Sequence, residues 1–159
     1  MRAWVGREVS YTAPENLGRA AIRYFSLALG DDNPLYHDEA YAQAAGFASI
    51  VAPPTLVCET NQYAHRAPNE DGYIGHAWEL PLAGFRMIRG GHDYEFFRRV
   101  TPDDRITVVW RLDEITEHAS PRGGPMLIAI ALATYSNQSG ELLARNRETL
   151  IFQPLERRS

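Results

Sequence analysis

Residues 30–56 read GDDNPLYHDEAYAQAAGFASIVAPPTL, and the reading of this stretch decides the fold. Gly30 follows Leu17, Ala20, Ala21, Tyr24, Phe25 and Ala28, whose spacing of three and four predicts a helix closed by a left-handed glycine. Upstream, Thr12-Ala13-Pro14-Glu15 reads as the start of that helix. The hydroxyl can cap, proline is tolerated in a first turn, and the glutamate can reach back. Downstream, Asp38 is a good N-cap and Glu39 suits the positive helix end, so a second helix is expected to run to Gly46. Between the two lies Asp31-Asp32-Asn33-Pro34-Leu35-Tyr36-His37, a polar connector with a proline-set turn. Ala52-Pro53-Pro54-Thr55 interrupts the chain again, and since proline can open a helix, a third is expected from about Pro54 to about His65.

Outward from this stretch the pattern changes. Residues 4–10 read as a short lead-in and 66–80 mainly as loop. Beyond residue 80 the apolar residues alternate or run in short β-branched and aromatic blocks. Four strands are predicted: Phe85–Val100 with a bulge at Gly90-Gly91, Ile106–Ile115, Met126–Tyr135 and Leu142–Gln153. The third is nearly continuously apolar, as a central strand is. Turns fall at Thr101–Asp104, Ser120–Pro125 and Asn137–Gly140, which suggests an antiparallel meander. Helices followed by strands predict an α+β layer arrangement in one domain over residues 1–159, with a frayed tail from about 155.

Composition removes several functions. All 16 basic residues are arginine, against 20 carboxylates, giving a net charge of -4. Without lysine there is no Schiff base, pyridoxal phosphate anchor or Walker-type loop. One cysteine, Cys58, excludes an intrachain disulfide and a cysteine-rich zinc site. A mildly acidic chain is a poor general binder of nucleic acid. No stretch approaches the roughly 18 apolar residues of a membrane helix, and no secretory leader pattern is present, so a soluble, cytoplasmic chain is expected.

The chemistry-bearing constellation is the connector. Asp31 or Asp32 with His37, turned together by Asn33-Pro34, would supply the carboxylate and imidazole needed to activate a water. The same residues also serve as ordinary turn and cap residues.

Residues 28–56, together with RGGHDYEFFRRVTPDDRI at Arg89–Ile106, resemble the MaoC-like hydratase/dehydratase family, in particular its N-terminal, fatty-acid-synthase-like dehydratase branch. The resemblance implies a hot-dog fold, an antiparallel sheet wrapped around a central helix beginning near Pro54, paired into a dimer. It implies addition of water to a 2-enoyl thioester, or the reverse elimination, with coenzyme A or a carrier protein bearing the substrate and no metal or redox cofactor. In the family an Asp and a His in a Gly-Asp-x-Asn-Pro-x-His pattern bind the water. A backbone N–H at the start of the central helix polarises the thioester carbonyl.

Two departures matter. Matching Gly30-Asp31-x-Asn33-Pro34 puts Tyr36 at the histidine position and His37 one residue beyond it. Pro53 and Pro54 lack N–H groups, which moves the expected carbonyl donor to Thr55. The resemblance then implies one of two roles. The chain is a substrate-binding subunit in a heterodimer or heterotetramer with a catalytic MaoC-like partner, or it is a self-sufficient hydratase using Asp31 and His37, with Asn33 and Tyr36 beside them. A third reading is a thioesterase on the same fold with Glu59 as base. Arg86, Arg89, Arg98 and Arg99 are candidates for the phosphates of a thioester arm, Arg89 and Arg98 foremost. His65, His76, His92 and His118 lack metal-site spacing, and Cys58, Tyr94, Phe96 and Phe97 read as core or interface.

Overall fold

Alternation in the second half of the chain sets the sheet. In a computed structural model, which describes residues 2–58, 61–70, 72–120 and 124–155, the strands are β1 (Glu8–Thr12), β2 (Phe85–Phe96), β3 (Thr107–Ser120), β4 (Gly124–Ser136) and β5 (Leu142–Pro154). They form one antiparallel sheet in the order β1-β3-β4-β5-β2. The predicted meander is therefore β3-β4-β5 alone. β2 lies beside β5 at one edge, and the segment after it crosses to the other side of the sheet to begin β3. The lead-in segment is also a strand, the opposite edge, with Val9 and Tyr11 opposite Trp110 and Val108.

The bulge expected at Gly90-Gly91 is present as a register shift between Arg89 and Gly91. Glycine suits the close approach there: a Cβ on Gly90 would stand 3.1 Å from the side chains of Thr149 and Ile151, which would have to give by a few tenths of an ångström. Central β4 buries Ala129, Ala131, Ala133 and Tyr135 on one face, while Ile128 and Leu132 on the other are half-buried.

The helical half packs on the face that bears the alanines. α1 (Arg19–Leu29) and α2 (Glu39–Ala44) bring Ile22, Tyr36, Ala42, Ile50 and Val51 into one core with Val108, Trp110, Ala131, Ala133 and Tyr135. Gly30 ends α1 in the left-handed region at φ 67°, and Asp38 caps α2 by accepting from the Tyr41 N–H at 3.0 Å, both as predicted.

The start of α1 is not where Thr12 and Glu15 would put it. Thr12 ends β1, and its hydroxyl meets that of Thr107 at 3.0 Å. The N–H groups of Ala13, Leu17 and Gly18 donate to the carbonyls of Ile106, Asp104 and Pro102, so these residues are tied to the crossing segment rather than to a helical turn. The buried stripe of α1 accordingly runs through Ile22 and Ser26, leaving Tyr24 64% exposed.

The third predicted helix is also corrected. Its described residues form two 3-10 turns, Pro54–Cys58 and Asn61–Tyr63. The buried Gln62 amide donates to the carbonyls of Val57 (3.5 Å) and Cys58 (3.2 Å), acceptors that a continuing α-helix would use itself. The β-branched Thr55 and Val57 slightly lower the helix propensity of the segment. Glu59, the base of the thioesterase reading, and the tail from 156 lie outside the described residues. Among the described residues no helix is long and apolar enough to cross a membrane.

Candidate functional site

The connector folds as a chain of caps. Asp31 Oδ1 accepts from the Asn33 N–H (3.2 Å), and Asn33 Oδ1 accepts from the Leu35 N–H (3.1 Å), starting the 3-10 turn Pro34–Tyr36. This turn points successive side chains apart. Tyr36 is 5% exposed and sits in the core, whereas His37 is exposed, its Nε2 3.2 Å from the Asp32 carbonyl oxygen. Asp31 and His37 do border one shallow hollow of about 320 Å³, with Leu27, Gly30 and Asp32. The structure therefore brings Asp31 and His37 together at the surface and sends Tyr36 elsewhere.

A second groove, also about 320 Å³, is lined by Pro54, Val57, Phe96, Phe97, Arg98, Arg99 and Val100. Thr55 is exposed at the start of the adjoining turn, where backbone N–H groups have no acceptor within the helix. Arg98, a candidate phosphate ligand, borders this groove and is also tied into the fold. Its guanidinium donates to both Asp104 oxygens at 2.8 and 2.9 Å, its Nε lies 2.8 Å from Glu141 Oε2, and it also reaches the Arg99 carbonyl. Asp104 further accepts from Thr101 N–H, Thr101 Oγ1 and Asn137 Nδ2. Burial alone would raise the Asp104 carboxyl, but these donors, Arg98 foremost, hold it below the ordinary carboxylate value. Arg98 is thus a latch between the crossing segment and the β4–β5 turn.

The sheet's inner face joins the candidate Arg89 to Asn146 and Glu148, which no motif in the sequence marks. Across the inner face of the sheet, one row runs Trp110, Ala133, Asn146, Tyr94 and the next Leu112, Ala131, Glu148, His92. In front of these rows lies a cavity of about 230 Å³ lined by Tyr63, Tyr73, Arg89, His92, Trp110 and Asn146 among others, with the exposed Tyr73 and Ile74 at its rim. Arg89 turns into this space. It pairs with Glu148 and donates to the Tyr73 hydroxyl at 3.2 Å. Burial holds the Glu148 carboxyl above the usual range, against the pull of Arg89 and His92. His92 Nδ1 meets Asn146 Nδ2 at 3.1 Å. His92, Tyr94 and Phe96 then stack in sequence along β2, centroids 5.5 and 5.7 Å apart, the first two lining the cavity and the third the groove.

The signal for this site is parity. In β5, Asn146 and Glu148 share the inward face with Ala144, Leu150 and Phe152, so two polar groups stand where apolar ones are expected. Among the described residues no cluster of three or more His, Cys, Asp or Glu is arranged to hold a metal.

Comparisons with known proteins bear on this geometry. Residues 3–146 match the FAS1-like dehydratase domain region. A UPF0336 protein of Saccharopolyspora erythraea is 31% identical over 150 residues, 94% of this chain and 89% of that one. A probable enoyl-CoA hydratase alpha subunit of Thermomonospora curvata is 29% identical over 166 residues, 97% of this chain and 51% of that one. Among solved structures, a chain of the ChsH1-ChsH2 complex from Mycobacterium tuberculosis superposes with a TM-score of 0.73 at 20% identity, covering 95% of this chain and 86% of that one. A MaoC-like dehydratase from Rhodospirillum rubrum superposes at 0.67 with 19% identity, covering 94% and 92%. The fold is accordingly the α+β hot-dog fold.

Proposed function

The chain belongs to the FAS1-like dehydratase domain family, and from that membership we propose that it is the acyl-thioester-binding subunit of an enoyl-thioester hydratase or dehydratase, working beside a catalytic hot-dog partner. One observation carries the reading. The position that matches the family's catalytic histidine holds Tyr36, buried in the core, while His37 faces solvent and the Asp32 carbonyl. Water activation in a hydratase needs a base aimed into a space that excludes bulk solvent. Asp31 and His37 are both exposed at the rim of an open hollow, whereas the stacked row His92, Tyr94, Phe96 runs from the lining of the cavity to that of the groove, an apolar track that suits an acyl chain.

The outer side of β2 supports a partner. This edge pairs only with β5 among the described residues. Met87, Ile88, Phe96 and Phe97 are each 38–47% exposed along it. They form two apolar pairs at the ends of an otherwise polar edge, and exposed apolar side chains on an unpaired strand edge suit cover by another chain.

Purified alone, the chain is expected to show no hydration of 2-enoyl-CoA. Co-expression with a hot-dog chain carrying an intact Gly-Asp-x-Asn-Pro-x-His segment should restore it. Turnover by the chain alone would reject the subunit role in favour of the second reading, a self-sufficient enzyme, which the shared hollow of Asp31 and His37 favours.

A further inference from the structure

We infer that the inner cavity selects an acyl chain whose far end carries a hydroxyl group. This rests on the acyl-binding reading above and specifies the substrate class.

The argument starts from Asn146. It is 2% exposed, borders the cavity, and its Nδ2 is engaged by His92 while its Oδ1 has no hydrogen-bond partner. Whichever way round the amide sits, one end faces His92 and the other is unmatched in the interior. A buried polar atom left unmatched is costly, so such sites favour ligands that complete the pair. A hydroxyl both donates and accepts, and can meet either end of the amide. A terminal methyl can meet neither.

The surroundings fit a chain that arrives apolar and ends polar. From Phe96 to His92 the ladder runs four residues, about 13 Å of strand, with ring faces along it. At its inner end the cavity of about 230 Å³ equals the liquid volume of roughly seven or eight waters, enough for a terminal hydroxymethyl segment.

The test is calorimetric titration of the full chain with saturated acyl-CoA thioesters from octanoyl to hexadecanoyl, each paired with its ω-hydroxy counterpart. At the best-fitting length the ω-hydroxy form is expected to bind at least about tenfold more tightly. Asn146→Leu should abolish that preference, and Asn146→Ala, which cannot overpack the cavity, should do the same. Equal binding of both members at every length, or a preference that survives both substitutions, overturns the hydroxyl selectivity and leaves the acyl-binding reading standing. Failure of the folded chain to bind any member overturns both.

Discussion

His76 shows how far a single residue can be committed by its surroundings. Its ring stacks on Trp110 at 4.9 Å, meets Trp78 edge-on at 4.5 Å and shares Nδ1 with the Tyr11 hydroxyl, while Nε2 is buried without a partner. Burial, with Arg66 and Arg89 adding to it, lowers its pKa from 6.5 to about 4. The folded protein keeps the ring neutral where the unfolded chain takes up a proton. Stability is therefore complete above the unfolded value, erodes as pH falls from 6.5, and has lost this contribution by about pH 4. At about 1.4 kcal/mol per pH unit the loss is on the order of 3 kcal/mol. Denaturant unfolding of wild type and His76→Phe across that window checks it. The variant, which keeps the ring contacts, should show a flatter pH profile, and an unchanged slope would show that His76 is not the titrating group. Nothing in the sequence marks His76 apart from the other histidines, because its environment is assembled from β1, β3 and the loop before β2. Tyr36 and His37 are the opposite case. Their one-residue displacement is legible in the string, and the 3-10 turn gives it physical meaning by sending one side chain inward and the other out.

At the scale of elements, four strands, the Gly90-Gly91 bulge and both helix stops were legible because they depend on local alternation and on glycine or aspartate chemistry. The misses depend on distant partners. β1 was read as a lead-in because an edge strand with little buried surface carries a faint pattern, EVSYT, that only Trp110 and Val108 complete. The late start of α1 depends on carbonyls from Pro102 to Ile106, and the broken third helix on the Gln62 amide. The Arg98–Asp104 latch is likewise long-range in effect, joining the crossing segment to Asn137 and Glu141. Asp104→Ala leaves Arg98 without its main partner and removes acceptors from Thr101 and Asn137. It should cost about 2–4 kcal/mol, read as a lower denaturation midpoint with unchanged slope. A loss comparable to an exposed surface pair, about 0.5 kcal/mol, would show the latch to be incidental.

For the whole molecule, the sheet separates two tasks. Its inner face carries the ladder and the polar cavity, and its β2 edge offers exposed apolar side chains to another chain. The surface hollow with Asp31 and His37 stands apart from both, and none of the groove or cavity residues borders it. On the proposed function, binding falls to this chain and water activation to its partner. The most direct measurement is kcat/KM for 2-enoyl-CoA hydration by the reconstituted complex, with Asp31→Ala and His37→Ala introduced into this chain one at a time. Both variants should match the wild-type complex. A fall of about a hundredfold or more in either would place general acid–base chemistry in this chain and contradict the account.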